Sequence, residues 1–248
     1  MTTVNFFWRG KHTFGFFQQI VIESHIKVGH KPIFWLSGEM PEGENWEKIE
    51  KKVTVKTTDN LFFNEDEFAR DSIPTILGDM WKFHFLYNFG GLYCDTDAFA
   101  LREFPNDEWI LCSGEDPNEW KALPSWNNEI EGLSLGVMKI PPKQSFLLEC
   151  IEKCKKDWGN VAIFNNIYLK HFGNTSPTHD NNLFYPYKWF EAKKLFEDIQ
   201  IPKDAYSIHF YGYAINREFK DTINDYNETW CRRNPNTLLG RLWHWLDN

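Results

Sequence analysis

The first apolar run, VNFFW at residues 4–8, has the length of a buried strand and gives way at Gly10 to a polar turn. TFGFFQQIVIESHIKVG follows, with Phe14, Phe17, Ile20, Val21 and Ile26 near helical spacing and Gly29 as a stop. KPIFWLS predicts a second strand, opened by Pro32. GEMPEGENWE is a charged connection, and KKVTVKTT alternates with β-branched residues, which predicts a third strand. Residues 64–89 predict a helix with an apolar stripe through Ile73, Ile76, Leu77, Met80, Phe83 and Tyr87. Gly90 and Gly91 end it, and the short strand LYC runs directly into Asp95. EWILCSG and GLSLGVMKI read as two more strands, the latter closed by Pro141 and Pro142. QSFLLECIEKCKKDW reads as an amphipathic helix, NVAIFNNIYLKHFG as another after a break at Gly159 and Asn160, and AYSIHFYG as a late strand after a turn-rich stretch from Asn174 to Trp189. Strand, helix, strand, connection, strand at the start predicts an α/β domain with a largely parallel sheet. No repeat, low-complexity tract or linker divides the chain, so residues 1–248 are expected to form one domain.

Composition narrows the function classes. A 248-residue chain that is 42% hydrophobic and 17% aromatic buries a real core, which excludes disorder. A net charge of −8 without a basic run excludes a partner held by neutralising a nucleic-acid backbone. No apolar run has the length of a membrane span, and MTTVNFFWRGKHTFG lacks the layout of a signal peptide. Cys94, Cys112, Cys150, Cys154 and Cys231 are odd in number and loosely spaced, which predicts buried free thiols rather than disulfides or a zinc site. A cytoplasmic location is therefore expected, and the sequons at Asn174 and Asn227 carry little meaning there. LLGRLWHWLDN near the end reads as a closing helix packed on the sheet, with a lid over a ligand or peripheral contact with a membrane face as alternatives.

GGLYCDTD, residues 90–97, sets Asp95 and Asp97 one residue apart at the C-terminal end of a strand. Open α/β sheets bind ligands at that end. On an ideal strand, residues i and i+2 share a face, which aims both carboxylates at one point. A hard divalent ion, manganese or magnesium, relieves their repulsion and leaves room for phosphate oxygens. An Asp-x-Asp pair in isolation is common in surface loops; the buried strand and the two glycines before it shift the balance toward a metal site.

The stretch LGDMWKFHFLYNFGGLYCDTDAFAL resembles the central signature of the DXD-containing sugar transferases of glycosyltransferase family 32, a group similar to initiating mannosyltransferases, α-1,4-galactosyltransferases and glucosylating clostridial toxins. Asp79, Lys82, Leu86, Tyr87, Gly90, Gly91, Tyr93, Asp95 and Asp97 stand at the positions of that pattern, with lysine where the family usually has arginine. The resemblance implies the fold called GT-A, a nucleotide-binding α/β sandwich. It implies a donor-binding part over residues 1–100, an acceptor- and metal-closing part over 101–248, and retention of anomeric configuration. It also implies a nucleotide-sugar donor, UDP-linked by preference, and a glycan acceptor. Asp97 is implied as a direct metal ligand, Asp95 as a contact to ribose and metal, and His209 in AYSIHFYGYA as a third metal or diphosphate contact. Trp8 is implied as a stacking surface for the base, and Asp79, Lys82 and Tyr93 as further donor-side residues. Tyr211 or Asn216 stands in for a Ser-Trp pair that is absent after the late strand.

Arg9 and Lys11 flank the turn after the first strand and are candidates to face a diphosphate. If retention proceeded by double displacement, a carboxylate or amide would be needed beside the sugar; Asn127, Asn128, Glu131 and Asp180 are the candidates, unranked. Two other classes share the acidic pair. A phosphohydrolase usually carries it after the first strand, followed by a small-residue turn and threonine, whereas Ala98 and Phe99 follow here. A binding protein without turnover would take up donor in a metal-dependent way and release no product.

Overall fold

A computed structural model describes residues 1–10, 14–58, 74–115, 132–155, 160–173, 179–220 and 222–248. Its centre is a five-stranded sheet built from β1 (Thr3–Arg9), β2 (Lys31–Ser37), β3 (Thr54–Thr57), β4 (Gly91–Cys94) and β8 (Val137–Ile140), in the order β3-β2-β1-β4-β8. β3, β2, β1 and β4 are parallel, and β8 closes the sheet antiparallel to β4, with Tyr93 opposite Met138. The mostly parallel sheet with flanking helices is the architecture the pattern predicts.

Alternation along the strands divides the interior into two layers. Val4 and Phe6 of β1 and Phe34 of β2 face one layer, with Phe14 before helix α1 (Phe16–Lys27), Ile20 and Val21 of α1, Trp46 of the short helix α2 (Glu44–Glu47), and Leu239 and Leu242 of the closing helix Leu238–Asp247. Phe7 and Trp35 face the other, with Trp81 and Phe85 of α3 (Pro74–Phe89) and residues of the helices Ser145–Cys154 and Asn160–Phe172. Phe7 stacks on Trp81 and Trp81 on Phe85, with centroids 4.9 and 5.0 Å apart. The closing helix buries Leu238, Leu239, Gly240, Leu242 and Trp243 against α1 and neighbouring helices rather than against the sheet. All five cysteines are free and buried. Among the described residues, no helix is long and apolar enough to cross a membrane.

Three expected strands differ. EWILCSG is not one strand: Ile110 bridges Lys139, Cys112 bridges His179, and only β6 (Ser113–Glu115) is regular, paired with β7 (Gly132–Leu133). GLSLGVMKI breaks at Ser134–Gly136 between β7 and β8, because Leu135 and Gly136 turn their carbonyls to Lys82 and to the Asp95 N–H. The late strand shortens to β9 (Ser207–His209), since Tyr211 takes a left-handed conformation, φ 53°, and starts the helix Gly212–Glu218. An unexpected strand, β5 (Ala98–Ala100), pairs with β9, Ala98 opposite His209. The helix expected from 64 is described from Pro74; residues 59–73 lie outside the described segments.

Two buried histidines hold a proton order fixed by their partners. Phe104 N–H donates to His30 Nε2 at 3.1 Å, so the His30 proton sits on Nδ1. That proton bridges to His25 Nδ1, 2.9 Å away, and His25 Nε2–H donates to the Ala98 carbonyl at 2.9 Å. Every bond is satisfied only with both rings neutral. Burial and the neighbouring His30 hold His25 down at about 3, and burial holds His30 down at about 4 against the opposing pull of Glu103. Each folded value lies below the ordinary 6.5, so this contribution to stability is complete above pH 6.5 and is lost as pH falls toward those values. Acidification to about pH 4 is expected to cost on the order of 6 kcal/mol from this pair. Urea midpoints measured across that range should fall steeply in the wild type and less in H25F/H30F; equal slopes would refute the assignment.

Candidate metal centre

Gly90 and Gly91 have φ of 63° and 93°, and a Cβ on Gly90 would stand 2.6 Å from Pro142 and 2.9 Å from the Ile140 carbonyl. The glycine pair thus lets α3 turn directly into β4 while β8 passes close by. β4 delivers the chain to Asp95. There the chain stops being a strand: Ala98 N–H donates to the Asp95 carbonyl at 3.1 Å, closing a turn over Asp95–Ala98. The two carboxylates therefore converge through a turn, and not through the pleat of a strand as the spacing suggests.

His209 reaches the same point from the end of β9. One ligand atom each from Asp95, Asp97 and His209 lies within 4.8 Å of the others, and no other cluster of this kind occurs among the described residues. His209 Nε2 stands 3.1 Å from Asp97 Oδ1 and 3.7 Å from Asp95 Oδ2, is itself buried, and has no aligned hydrogen-bond partner. Its Nδ1 accepts the Tyr211 N–H at 3.2 Å, which leaves the neutral-ring proton on Nε2, between the carboxylates. Burial works against its charge, but Asp97 and then Asp95 outweigh it and hold its pKa above the ordinary histidine value. Two carboxylates and an imidazole, around a buried nitrogen with no aligned partner, suit a small divalent cation. Ligation through Nε2 would move the ring proton to Nδ1 and give up the bond from Tyr211.

A second set of residues fixes the acids. Asp97 Oδ2 accepts Gly212 N–H at 2.7 Å, and its carbonyl accepts Phe210 N–H at 2.8 Å. Asp95 N–H donates to the Gly136 carbonyl at 2.7 Å. Lys82 Nζ, fully buried, lies 2.9 Å from Asp79 Oδ1, 2.7 Å from the Leu135 carbonyl and 3.2 Å from Asp95 Oδ1, over the Tyr93 ring at 4.7 Å. Burial opposes the Lys82 charge, but Asp79 and Asp95 prevail and raise its pKa. Burial likewise opposes the Asp95 charge, and Lys82 is the first of the groups that outweigh it and lower its pKa. Lys82 thus joins Asp79, one helical turn before it, to Asp95. Lys82→Met would leave two carboxylates without their shared cation, an expected loss of about 3–5 kcal/mol. Thermal unfolding of K82M checks this; a Tm within a degree or so of wild type would contradict it.

The remaining candidates are distributed as follows. Trp8 is half-buried at the end of β1, its ring 5.4 Å from Phe14 and 6.2 Å from Phe34, and its Nε1 is buried without a partner. Arg9 ends the same strand. Asp180 caps the short helix Asn181–Phe184, accepting Asn182 N–H at 2.8 Å, and is outside the Asp95–Asp97–His209 cluster. Tyr211 donates its hydroxyl to the Tyr187 carbonyl, and Asn216 is exposed on the helix Gly212–Glu218. Lys11, Asn127, Asn128, Glu131, Trp158 and Gly159 lie outside the described residues.

Sequence reading missed Gly136, Tyr185 and Gly212. Tyr185 hydroxyl accepts Val137 N–H at 2.6 Å, and its ring lies 5.5 Å from the His209 ring. A Cβ on Gly136 would lie 2.5 Å from His209 Nε2. A glycine interrupting a strand pattern, as Gly136 does, was the available signal for a close approach.

Residues 19–114 match the family model described as a glycosyltransferase sugar-binding region containing the DXD motif. No curated protein matches the chain in sequence. Among solved structures the chain is similar to the PaToxG glycosyltransferase (10% identity, TM-score 0.47, 69% of each chain covered). It is also similar to the bifunctional glycosyltransferase WbbM (12%, 0.48, 98% of this chain and 51% of that one) and to the glycosyltransferase GlyE of Streptococcus pneumoniae (13%, 0.49, 99% and 63%). The chain therefore spans about half of WbbM and under two thirds of GlyE. The enzyme class expected from the sequence agrees with the family match, and the turn carrying Asp95 and Asp97 lies inside it. Over residues 19–114 the chain is similar to the glycosyltransferase sugar-binding region that contains the DXD motif.

Proposed function

We propose that the protein is a metal-dependent, retaining glycosyltransferase that moves a sugar from a nucleotide diphosphate, UDP by preference, to a glycan hydroxyl. The observation that carries this reading is the convergence of Asp95, Asp97 and His209 within 4.8 Å at the end of a parallel sheet, inside a matched DXD region. Bound manganese or magnesium would neutralise the diphosphate and stabilise the charge that develops as it leaves.

The chain's own residues supply the rest. Asp97 is held by Gly212 N–H so that Oδ1 remains for a cation, and Asp95 is held between Lys82 and the Gly136 carbonyl. Fixed dipoles of this kind need no reorganisation as charge builds on the leaving group, which is where catalysis is expected. Trp8 and Arg9, at the end of β1, are proposed to meet the base and diphosphate, with Lys11 beyond them. Lys82, Asp79 and Tyr93 are proposed to serve the donor through Asp95. Same-face attack, with the leaving phosphate taking the acceptor proton, fits retention without a protein nucleophile; Asn127, Asn128, Glu131 and Asp180 are the residues to examine on the acceptor side. The free buried thiols support a reducing, cytoplasmic setting, with peripheral contact at a membrane face as a setting for the acceptor.

A panel of UDP- and GDP-sugars with Mn²⁺, read by released nucleotide diphosphate, tests the reading. Slow donor hydrolysis of one sugar nucleotide, abolished by chelation, is the expected result. Metal-dependent donor binding without release, with every acceptor offered, would replace it with a binding role.

A further inference from the structure

Among the described residues, β5 is a three-residue strand with a strand neighbour on only one side. Asp97 and Leu101 bond toward β9: Phe210 N–H donates to the Asp97 carbonyl, and Leu101 N–H donates to the Tyr206 carbonyl at 2.8 Å. Alternate residues of an antiparallel strand aim their backbone groups at the opposite edge. Ala98 and Ala100 therefore present a carbonyl and an N–H to a side where no strand lies among the described residues, in a fully buried position. Unmet backbone groups there would be costly.

Helix α1 meets them with side chains. Ser24 Oγ accepts Ala100 N–H at 2.8 Å and passes its own proton to the Val21 carbonyl at 2.6 Å. His25 Nε2–H donates to the Ala98 carbonyl, and His30 fixes that tautomer through Nδ1. Ser24 and His25 are fully buried. The residue whose carbonyl His25 grips is the one after Asp97, and it stands opposite His209 in the ladder.

We propose that Ser24 and His25 are positioning residues for the metal centre: they replace a missing strand along β5 and hold Asp97 against the Gly212 N–H. The consequence for a metal rests on the function proposed above; the positioning itself does not. It predicts that losing the His25 bond loosens the Asp97–Gly212 contact locally, before the main sheet opens.

The test is amide hydrogen exchange in metal-free protein, followed by NMR at Gly212, Phe210 and Phe34, the last in β2 between β1 and β3 of the main sheet. In His25→Leu, the ratio of Gly212 exchange to Phe34 exchange is expected to rise at least tenfold. His25→Gln, whose amide N–H can still reach the Ala98 carbonyl, should return the ratio to within about threefold of wild type. A merely structural role would accelerate both amides together and leave the ratio unchanged, which overturns the proposal. Should H25L not fold, Ser24→Ala decides: a three- to fivefold rise in the ratio supports positioning, and no rise refutes it. Mn²⁺ titration of the same samples separates the two readings, because wild type that binds no Mn²⁺ sinks the metal assignment while the exchange ratio still answers for β5.

Discussion

Asp97→Ala should abolish nucleotide-sugar turnover, by about 10²–10³-fold or more, while the far-ultraviolet circular dichroism and cooperative unfolding stay close to wild type. The carboxylate is one-fifth exposed and its two oxygens are divided between roles, Oδ2 on Gly212 N–H and Oδ1 facing His209. Removing it takes away one of the two proposed anionic ligands and leaves His209 with the more distant Asp95 oxygen at 3.7 Å. The backbone bond from Phe210 to the Asp97 carbonyl does not depend on the side chain, so β5 and β9 remain joined. Asp97→Asn separates charge from shape: it keeps an acceptor for Gly212 and should still lose Mn²⁺ affinity by an order of magnitude or more. Near-normal, metal-dependent turnover in either variant would sink the site assignment.

Gly136→Ala should be the most damaging change outside the three proposed ligands. An added methyl would meet His209 Nε2 at 2.5 Å, His209 Cδ2 at 2.7 Å and the Tyr185 hydroxyl at 3.2 Å. None of these can easily retreat. His209 is held through Nδ1 by Tyr211 N–H, and the Tyr185 hydroxyl is engaged by Val137 N–H. The ring must therefore turn from the carboxylates, or the Gly136 carbonyl must release the Asp95 N–H. Overpacking of this kind costs about 1–3 kcal/mol, so a lower Tm is expected. A larger effect is expected on function, with Mn²⁺ affinity and turnover each down at least tenfold. Isothermal titration with Mn²⁺ below the lowered Tm checks this, and wild-type affinity there would show that His209 is not constrained by Gly136.

Much of this fold was legible in the chain because its signals are local. KPIFWLS is apolar over the length of a strand, and β2 occupies those seven residues. LYC ran into two acids, and the sheet ends there. The DXD pair and His209 were found from a recognisable pattern, and the structure brings them together. Local signals failed where the backbone bonds to distant partners. EWILCSG has the composition of a strand, yet its backbone bridges Lys139 and His179 in turn before pairing with β7, so no continuous ladder forms over its length. β5, as Ala-Phe-Ala, carries too little pattern to announce itself, and it exists because β9 and α1 supply its two edges.

The sequence by itself determined the parallel α/β layout and the acidic pair, since both are written in spacing along the chain. Only the tertiary structure decided why that pair is tolerated. Lys82, itself part of the signature, is inserted against Asp95; the rest of the answer lies in groups remote from the motif: a glycine at 136 that leaves room for the His209 ring, a Gly212 amide on Asp97, and α1 standing in for a strand. These last three are through-space contacts between segments far apart in the chain. Charge and close packing act over a few ångströms in space, whatever the separation in sequence.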